Sequence, residues 1–134
     1  MRFMMLMIPK VYQDPAYDDM PSAEAVGEMM KFNVAMSNAG VMLAGEGLHP
    51  LSKGARVTYS GGQPAVTDGA GVKATDVLGG YWMIQVKSLE EALEWATRCP
   101  AADGDTIELR QVQEMEDFSD DIQALVKPLV DKGF

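Results

Sequence analysis

Three side chains in this sequence could transfer a proton, His49, Glu46 and Asp68, and a fourth, Arg56, could hold an anion. His49 is the only histidine, and imidazole is the only side chain that ordinarily changes its charge between roughly pH 5 and 8. Beside a carboxylate it could act as a general acid or base. The alternative is a loop histidine that bonds to backbone or water, which the residues by themselves favour.

The spacing of Glu46 and His49 decides whether they could act together. Residues three apart on a regular strand point to opposite faces, so these two would converge only if the flanking glycines formed a bulge. One histidine and one carboxylate fall short of the three protein ligands of a catalytic zinc site. Asp68 or Glu114 could add a ligand, but no spacing in the sequence requires it. We therefore predict neither a metal nor a cofactor.

Asp68 and Arg56 each have a structural interpretation beside the functional one. Asp68 precedes Gly69, and turn chemistry alone explains an Asp-Gly pair, although a loop at a strand end could also line a pocket. Arg56, with Lys53 nearby, could anchor an anionic ligand. It could equally be a surface arginine or one that lies in a dimer interface.

The single cysteine, Cys99, excludes a disulfide or a cysteine zinc cluster within one chain. A chain without disulfides suits a reducing compartment, so we predict a cytoplasmic protein. Cys99 precedes Pro100 at a predicted helix end, with no histidine nearby in the sequence. A buried structural thiol is therefore favoured over a nucleophile.

Length and charge narrow the class of protein. The 134 residues suffice for one domain with its own core. The 20 acidic and 11 basic residues give a net charge of −9, which argues against binding to nucleic acid or to an anionic membrane surface. No apolar run approaches the roughly 18 residues of a membrane span. We predict a globular protein that binds neither nucleic acid nor membrane.

The elements that would position these residues alternate between strands and helices. Apolar runs and period-two alternation predict strands over 2–8, 41–44, 80–87 and 106–112, and a hairpin of 55–59 with 64–68. Serine N-caps predict helices from Ser22 to Gly40, from Ser88 to Pro100 and from Ser119 onward. The predicted buried stripes are Ala25, Met29, Phe32, Met36 and Ala39 on the first helix and Leu89, Ala92, Leu93 and Ala96 on the second.

This order predicts an α+β fold, a ferredoxin-like sandwich with an inserted β-hairpin. Two strand–helix–strand units with right-handed crossovers place both helices on one face of the sheet. The other face is left bare, and an apolar sheet face requires a cover. A second copy of the chain, sheet against sheet, is the simplest cover, so we predict a homodimer.

The predicted pocket lies between the sheet and the first helix or the long loops, of which 9–21 is the longest. His49, Glu46 and Asp68 are the candidates for proton transfer. The candidate ligand contacts are Phe32, Asn33, Arg56 and Tyr81.

Four segments occur in the order GEGLHP (45–50), VTDG (66–69), LGGYWMIQV (78–86) and EALEWATRCP (91–100). Together they resemble the YCII-related family, in its DGPF-domain branch. The resemblance runs from the first strand to about Met115. It implies a YCII-related domain over 1–115, with 116–134 as an acidic helical tail of the same domain. It also implies ferredoxin-like units that pair face to face as a dimeric α/β barrel.

The chain departs from the family pattern at the Asp-Gly-Pro-Phe motif, which gives the branch its name. Asp-Gly-Pro-Phe is Asp68-Gly69-Ala70-Gly71 here, and the acidic residue usual two positions after the phenylalanine is Lys73. The first helix lacks the histidine of the wider family's proposed catalytic pair. GEGLHP recurs in the branch, which strengthens the functional interpretation of His49. Two functions stay open: an enzyme that transfers a proton through His49 and an acidic residue, or a non-catalytic module that binds a ligand or a protein.

Overall fold

A computed structural model describes residues 1–70 and 72–133 and confirms the ferredoxin-like α+β fold. In chain order the elements are β1 (Arg2–Ile8), α1 (Ala23–Asn38), β2 (Met42–Gly47), β3 (Ala55–Ser60), β4 (Gln63–Asp68), β5 (Gly80–Gln85), α2 (Leu89–Thr97), β6 (Thr106–Gln111) and α3 (Asp120–Val130). No helix of the described chain is both long enough and apolar enough to cross a bilayer.

The main sheet has four strands in the order β2-β5-β1-β6, and all neighbours are antiparallel. The two strands of each strand–helix–strand unit are therefore parallel, with a strand of the other unit between them. This interleaving is the ferredoxin-like arrangement. It places β1 and β5 in the centre, where their apolar residues are covered best.

Alternation along the central strands builds the core. In β1, Phe3, Met5 and Met7 are buried between half-buried neighbours. In β5, Trp82 and Ile84 are buried and alternate with the half-buried Tyr81 and Met83. The buried side chains face α1 and α2. The buried core consists of Phe3, Met5, Met7, Phe32, Met36, Val41, Trp82, Ile84, Val86, Ala92 and Trp95.

The two helices that pack on the sheet, α1 and α2, begin at the predicted serines. The Ser22 hydroxyl accepts a hydrogen bond from Ala25 N at 3.1 Å, and the Ser88 hydroxyl accepts one from Glu91 N at 3.1 Å. The Glu91 carboxylate accepts from Lys87 N at 2.8 Å, one residue before the N-cap. Each serine thus satisfies a backbone donor that the first helical turn leaves free.

The buried stripe predicted for α2 is wrong in two of its four positions. Leu89 and Leu93 are 46% and 47% exposed, while Ala92 and Trp95 are buried. The indole of Trp95 packs against Phe32 with ring centroids 6.4 Å apart. Trp95 is the largest apolar side chain of this helix, and burying it removes more apolar surface from water than burying either leucine.

The stripe predicted for α1 is too long. Phe32 and Met36 are buried and Met29 is half-buried, whereas Ala25 and Ala39 at the two ends are exposed. The sheet lies under the middle and the C-terminal half of the helix, so the first turn extends past the core.

The second strand continues beyond its predicted end. It runs to Gly47, and its pairing with β5 shifts register between Met42 and Ala44. The irregularity predicted at the glycines therefore lies earlier, at Leu43. As a result Glu46 stays in regular pairing with Tyr81.

The predicted hairpin β3–β4 is present and forms its own two-stranded sheet. Gly61 and Gly62 make the turn with φ of 58° and 78°, the left-handed conformation that a two-residue type I′ turn requires. Every residue of both strands is exposed. The hairpin therefore contributes nothing to the core, and its base holds Arg56 beside the loops.

Gly79 connects the ends of two strands through its backbone. Its N–H donates to Met7 O at 2.8 Å, and its carbonyl accepts from Leu48 N at 2.9 Å. Pro9 and Tyr12 pack on the Cα, where a side chain would stand. The Tyr12 hydroxyl donates to Leu48 O at 2.7 Å, so the start of the loop 9–21 covers this junction.

We expect Gly79→Ala to destabilise the protein by about 1–3 kcal/mol, the usual effect of overpacking a filled site. An added Cβ would lie 2.8 Å from Pro9 Cδ and 3.3 Å from Tyr12 Cε2. Urea unfolding followed by circular dichroism measures the change.

Gly27→Ala is the matched control, because a Cβ at this helical position would meet nothing within 4 Å. It should stabilise the helix by roughly 0.5–1 kcal/mol. Equal unfolding midpoints for the two variants would show that Gly79 is not packed as described.

Candidate functional site

Five of the seven predicted site residues line two neighbouring clefts, and the other two, Phe32 and Asp68, line neither. The first, which we call the histidine cleft, has a volume of about 520 Å³ and is lined by residues 48–51, 53–56 and 76–78. The second, the helix cleft, has a volume of about 300 Å³ and lies between α1 and the paired ends of β2 and β5. It is lined by Met7, Met29, Met30, Asn33 and residues 45–47 and 79–82.

Two segments that are distant in sequence, 48–56 and 76–78, form the histidine cleft. His49 follows β2, Arg56 is the second residue of β3, and Asp76 comes from the loop before β5. Arg56 Nη2 lies 3.8 Å from Asp76 Oδ1, which is an ion pair without a hydrogen bond. Lys53 adds a second fixed cation to the lining.

Backbone hydrogen bonds shape the loop beneath His49. Lys53 N donates to Pro50 O at 3.0 Å and Gly54 N donates to Leu51 O at 2.8 Å, which makes a tight turn. Gly69 N then donates to Gly54 O at 2.9 Å. A Cβ at Gly69 would overlap the Leu51 carbonyl oxygen, so only glycine allows the two loops to approach this closely.

Asp68 lies in the turn and outside both clefts. Its Oδ1 accepts a hydrogen bond from Ala70 N at 3.0 Å, and the residue is exposed. This is the turn chemistry expected of aspartate before glycine. Of the Asp-Gly-Ala-Gly sequence, Gly71 lies outside the described residues.

The helix cleft takes its shape from glycines. Gly45, Gly47, Gly79 and Gly80 all line it, so at these four positions no side chain fills the space beneath α1. Trp82 lines the same space and is buried.

Asn33, Glu46 and Tyr81 all line the helix cleft. The Trp82 indole N–H donates to Asn33 Oδ1 at 2.8 Å, which fixes the amide. Glu46 and Tyr81 are directly opposite each other on β2 and β5. Phe32 lines neither cleft, because it is buried with its ring edge-on to Trp82 at 5.7 Å.

A single backbone hydrogen bond separates the two clefts. On one segment Gly47 lines the helix cleft and the next residue, Leu48, lines the histidine cleft. On the other segment Leu78 lines the histidine cleft and Gly79 lines the helix cleft. The bond from Leu48 N to Gly79 O joins the segments at that point.

Burial, and to a smaller extent the nearby Tyr17, raise the pKa of Tyr12. The Tyr12 hydroxyl therefore keeps the proton that it donates to Leu48 O.

The acid that shares a cleft with His49 is Asp76, which the sequence did not single out. Glu46 lies across the Leu48–Gly79 boundary in the helix cleft, since the bulge that would have brought it to His49 occurs earlier in β2. Asp76 is an isolated acid in a polar loop, and nothing in its sequence neighbours distinguishes it. Only the fold of that loop against the start of β3 brings it to Arg56.

Neither cleft contains a metal site built from the described side chains. Over residues 1–70 and 72–133, no three His, Cys, Asp or Glu side chains come together as metal ligands would. The His49 imidazole is exposed and, among the same residues, donates no orienting hydrogen bond to a carboxylate. The fixed charges that line the two clefts are Glu46, Lys53, Arg56 and Asp76.

Cys99 packs half-buried against the core at the end of α2. Burial, with a smaller effect from Asp105, raises the pKa of its thiol to about 11. The thiolate is the reactive form, so this cysteine is inert near neutrality, as the sequence favoured.

We expect iodoacetamide to alkylate Cys99 in the folded protein at pH 8 at least about tenfold more slowly than in the urea-unfolded chain. The folded-state rate should continue to rise from pH 8 to 10, because its thiolate population is still growing toward a pKa of about 11. In the unfolded chain the rate should level off near an ordinary thiol pKa of about 8.5. Equal rates at pH 8 would place the thiol outside the core.

The model of the YCII-related domain family matches residues 1–116. No curated protein shows a significant sequence match to the chain.

Proposed function

Because the chain belongs to the YCII-related family, we propose that the histidine cleft binds a small molecule and that His49 transfers a proton within it. The observation that carries this proposal is that the sole histidine lines a cleft of about 520 Å³ together with Lys53, Arg56 and Asp76. A concave site with a few converging polar groups is the usual form of a small-molecule site. GEGLHP and VTDG support placing the chain in the DGPF-domain branch.

Within the proposed site, His49 is the proton-transfer group and Asp76 is the carboxylate that shares its cleft. Arg56 would orient the ligand, as predicted from the sequence. Glu46, Asn33 and Tyr81 would contact only a ligand that reaches across the Leu48–Gly79 boundary into the helix cleft. Asp68 supports the loop through its turn, and Phe32 supports the cleft through Trp82.

A non-catalytic binding module is the second candidate, and one observation favours it. The imidazole of His49 is exposed and no described carboxylate orients it by a hydrogen bond. Efficient general acid–base catalysis requires a positioned group. Under this proposal the same cleft binds its ligand without transforming it.

NMR of the His49 imidazole tests the binding proposal. As the sole histidine it gives a signal that needs no assignment. Titration with mixtures of small metabolites at constant pH should shift this signal saturably for at least one component. A signal that no component moves would overturn binding in the histidine cleft.

His49→Gln then separates the two functions. If the bound component is transformed, the substitution should lower kcat by about 10²- to 10⁴-fold, the usual contribution of a general acid or base, and should change its Kd little. Asp76→Asn should act in the same direction. Binding without turnover, or turnover that His49→Gln leaves unchanged, would favour the non-catalytic module.

We also propose that two chains pair through the sheet face opposite α1 and α2. Met4, Leu6, Tyr81 and Met83 alternate to that face and are only half-buried. An apolar sheet face of this kind is a natural interface between two copies. The bidentate pair of Arg2 with Glu114 at 2.6 and 3.0 Å lies beside it.

Light scattering should therefore give a mass twice that of one chain. Leu6→Glu should reduce the mass to that of one chain, because an unpaired carboxylate would be buried in an apolar interface. Val66→Glu is the matched control, since Val66 is an exposed hairpin residue 75% accessible to solvent. A single-chain mass for the unmodified protein, or a dimer that survives Leu6→Glu, would contradict pairing through this face.

A further inference from the structure

We propose that the ligand of the histidine cleft carries a carboxylate and an apolar body; this inference rests on the proposed function of that cleft. The protein has a net charge of −9, yet the cleft lining holds two fixed cations, Lys53 and Arg56, against one carboxylate, Asp76. His49 adds a further positive charge when it is protonated. The cleft is thus a local excess of positive charge on an acidic protein, which attracts anions.

The guanidinium of Arg56 is available to a ligand. Its one carboxylate partner among the described residues is Asp76, at 3.8 Å, and the two side chains are 43% and 79% exposed. A pair this long and this exposed holds its partners weakly. An incoming carboxylate can make two parallel N–H···O bonds to the planar guanidinium, which is a shorter and stronger arrangement.

The planar guanidinium of Arg56 suits the two coplanar oxygens of a carboxylate. Sites for phosphate commonly use free backbone N–H groups at the start of a helix. No α-helix begins among the residues that line this cleft. The backbone N–H groups of Leu48, Lys53 and Gly54 donate to Gly79 O, Pro50 O and Leu51 O, so these three are not available to a phosphate.

The rest of the lining is apolar. Leu48, Leu51, Val77 and Leu78 surround the charged groups, and Pro50 is buried at the base of the loop. A ligand that fills the cleft must therefore cover hydrocarbon as well as pair its charge. The helix cleft has the opposite charge, because its only charged lining residue is Glu46. The Glu46 carboxylate would repel the same anion.

The test compares carboxylates with their neutral amides on the full chain. The probes are benzoate and hexanoate, with benzamide and hexanamide as neutral partners of the same size, and binding is followed by the His49 NMR signal and by calorimetry. Each carboxylate should bind at least about tenfold more tightly than its amide, because the guanidinium bond is charge-assisted. Added salt should weaken the carboxylates alone.

Arg56→Gln should remove most of this preference, and Lys53→Gln should reduce it. Lys31→Gln is the matched control: Lys31 is exposed on α1, pairs with Glu28 and lines neither cleft. Circular dichroism confirms that each variant folds. A preference retained by both Arg56→Gln and Lys53→Gln would overturn the assignment of these residues.

The experiment distinguishes an incorrect ligand class from an incorrect binding site. If the amides bind as tightly as the carboxylates, or if only neutral metabolites move the His49 signal, the site stands and the carboxylate class is wrong. If neither the four probes nor any metabolite mixture moves the signal, both the site and the class are rejected.

Discussion

The arrangement of the candidate site depends on the two backbone hydrogen bonds of Gly79. One bond ties Gly79 to Met7 at the end of β1, and the other ties it to Leu48 just after β2. The second bond also divides the space at this end of the sheet into the histidine cleft and the helix cleft. Since Pro9 and Tyr12 occupy the place of a side chain at Gly79, the same position holds the long first loop against the sheet.

The two clefts that meet at this boundary differ in chemistry because different elements line them. The helix cleft is lined by four glycines at the paired strand ends, by methionines and by Trp82, and Glu46 is its only charged residue. The histidine cleft is built from loops and the base of an exposed hairpin, which can place charged side chains without burying them. The close approach of Gly69 to Leu51 and Gly54 holds those loops together.

Much of the fold could be predicted because local patterns report burial and capping directly. Each of these patterns involves residues that are close together in sequence. Examples are the alternation of β1, the serine caps at Ser22 and Ser88 and the paired glycines of the hairpin. The errors arose where tertiary packing competes with a local pattern. In α2 the stripe through Leu89 and Leu93 was a valid helical face, but the pocket beside Phe32 selects the face that buries Trp95.

The sequence by itself determined the order of the elements, the ferredoxin-like topology and membership of the YCII-related family, and it pointed to His49 and Arg56 as residues with chemistry to offer. Only the tertiary structure decided which groups share a cleft: Asp76 joins His49, while Glu46 is separated from it. The physical reason is that loop positions depend on backbone bonds between residues far apart in sequence, such as Leu48 with Gly79 and Gly54 with Gly69. No local periodicity encodes such pairs.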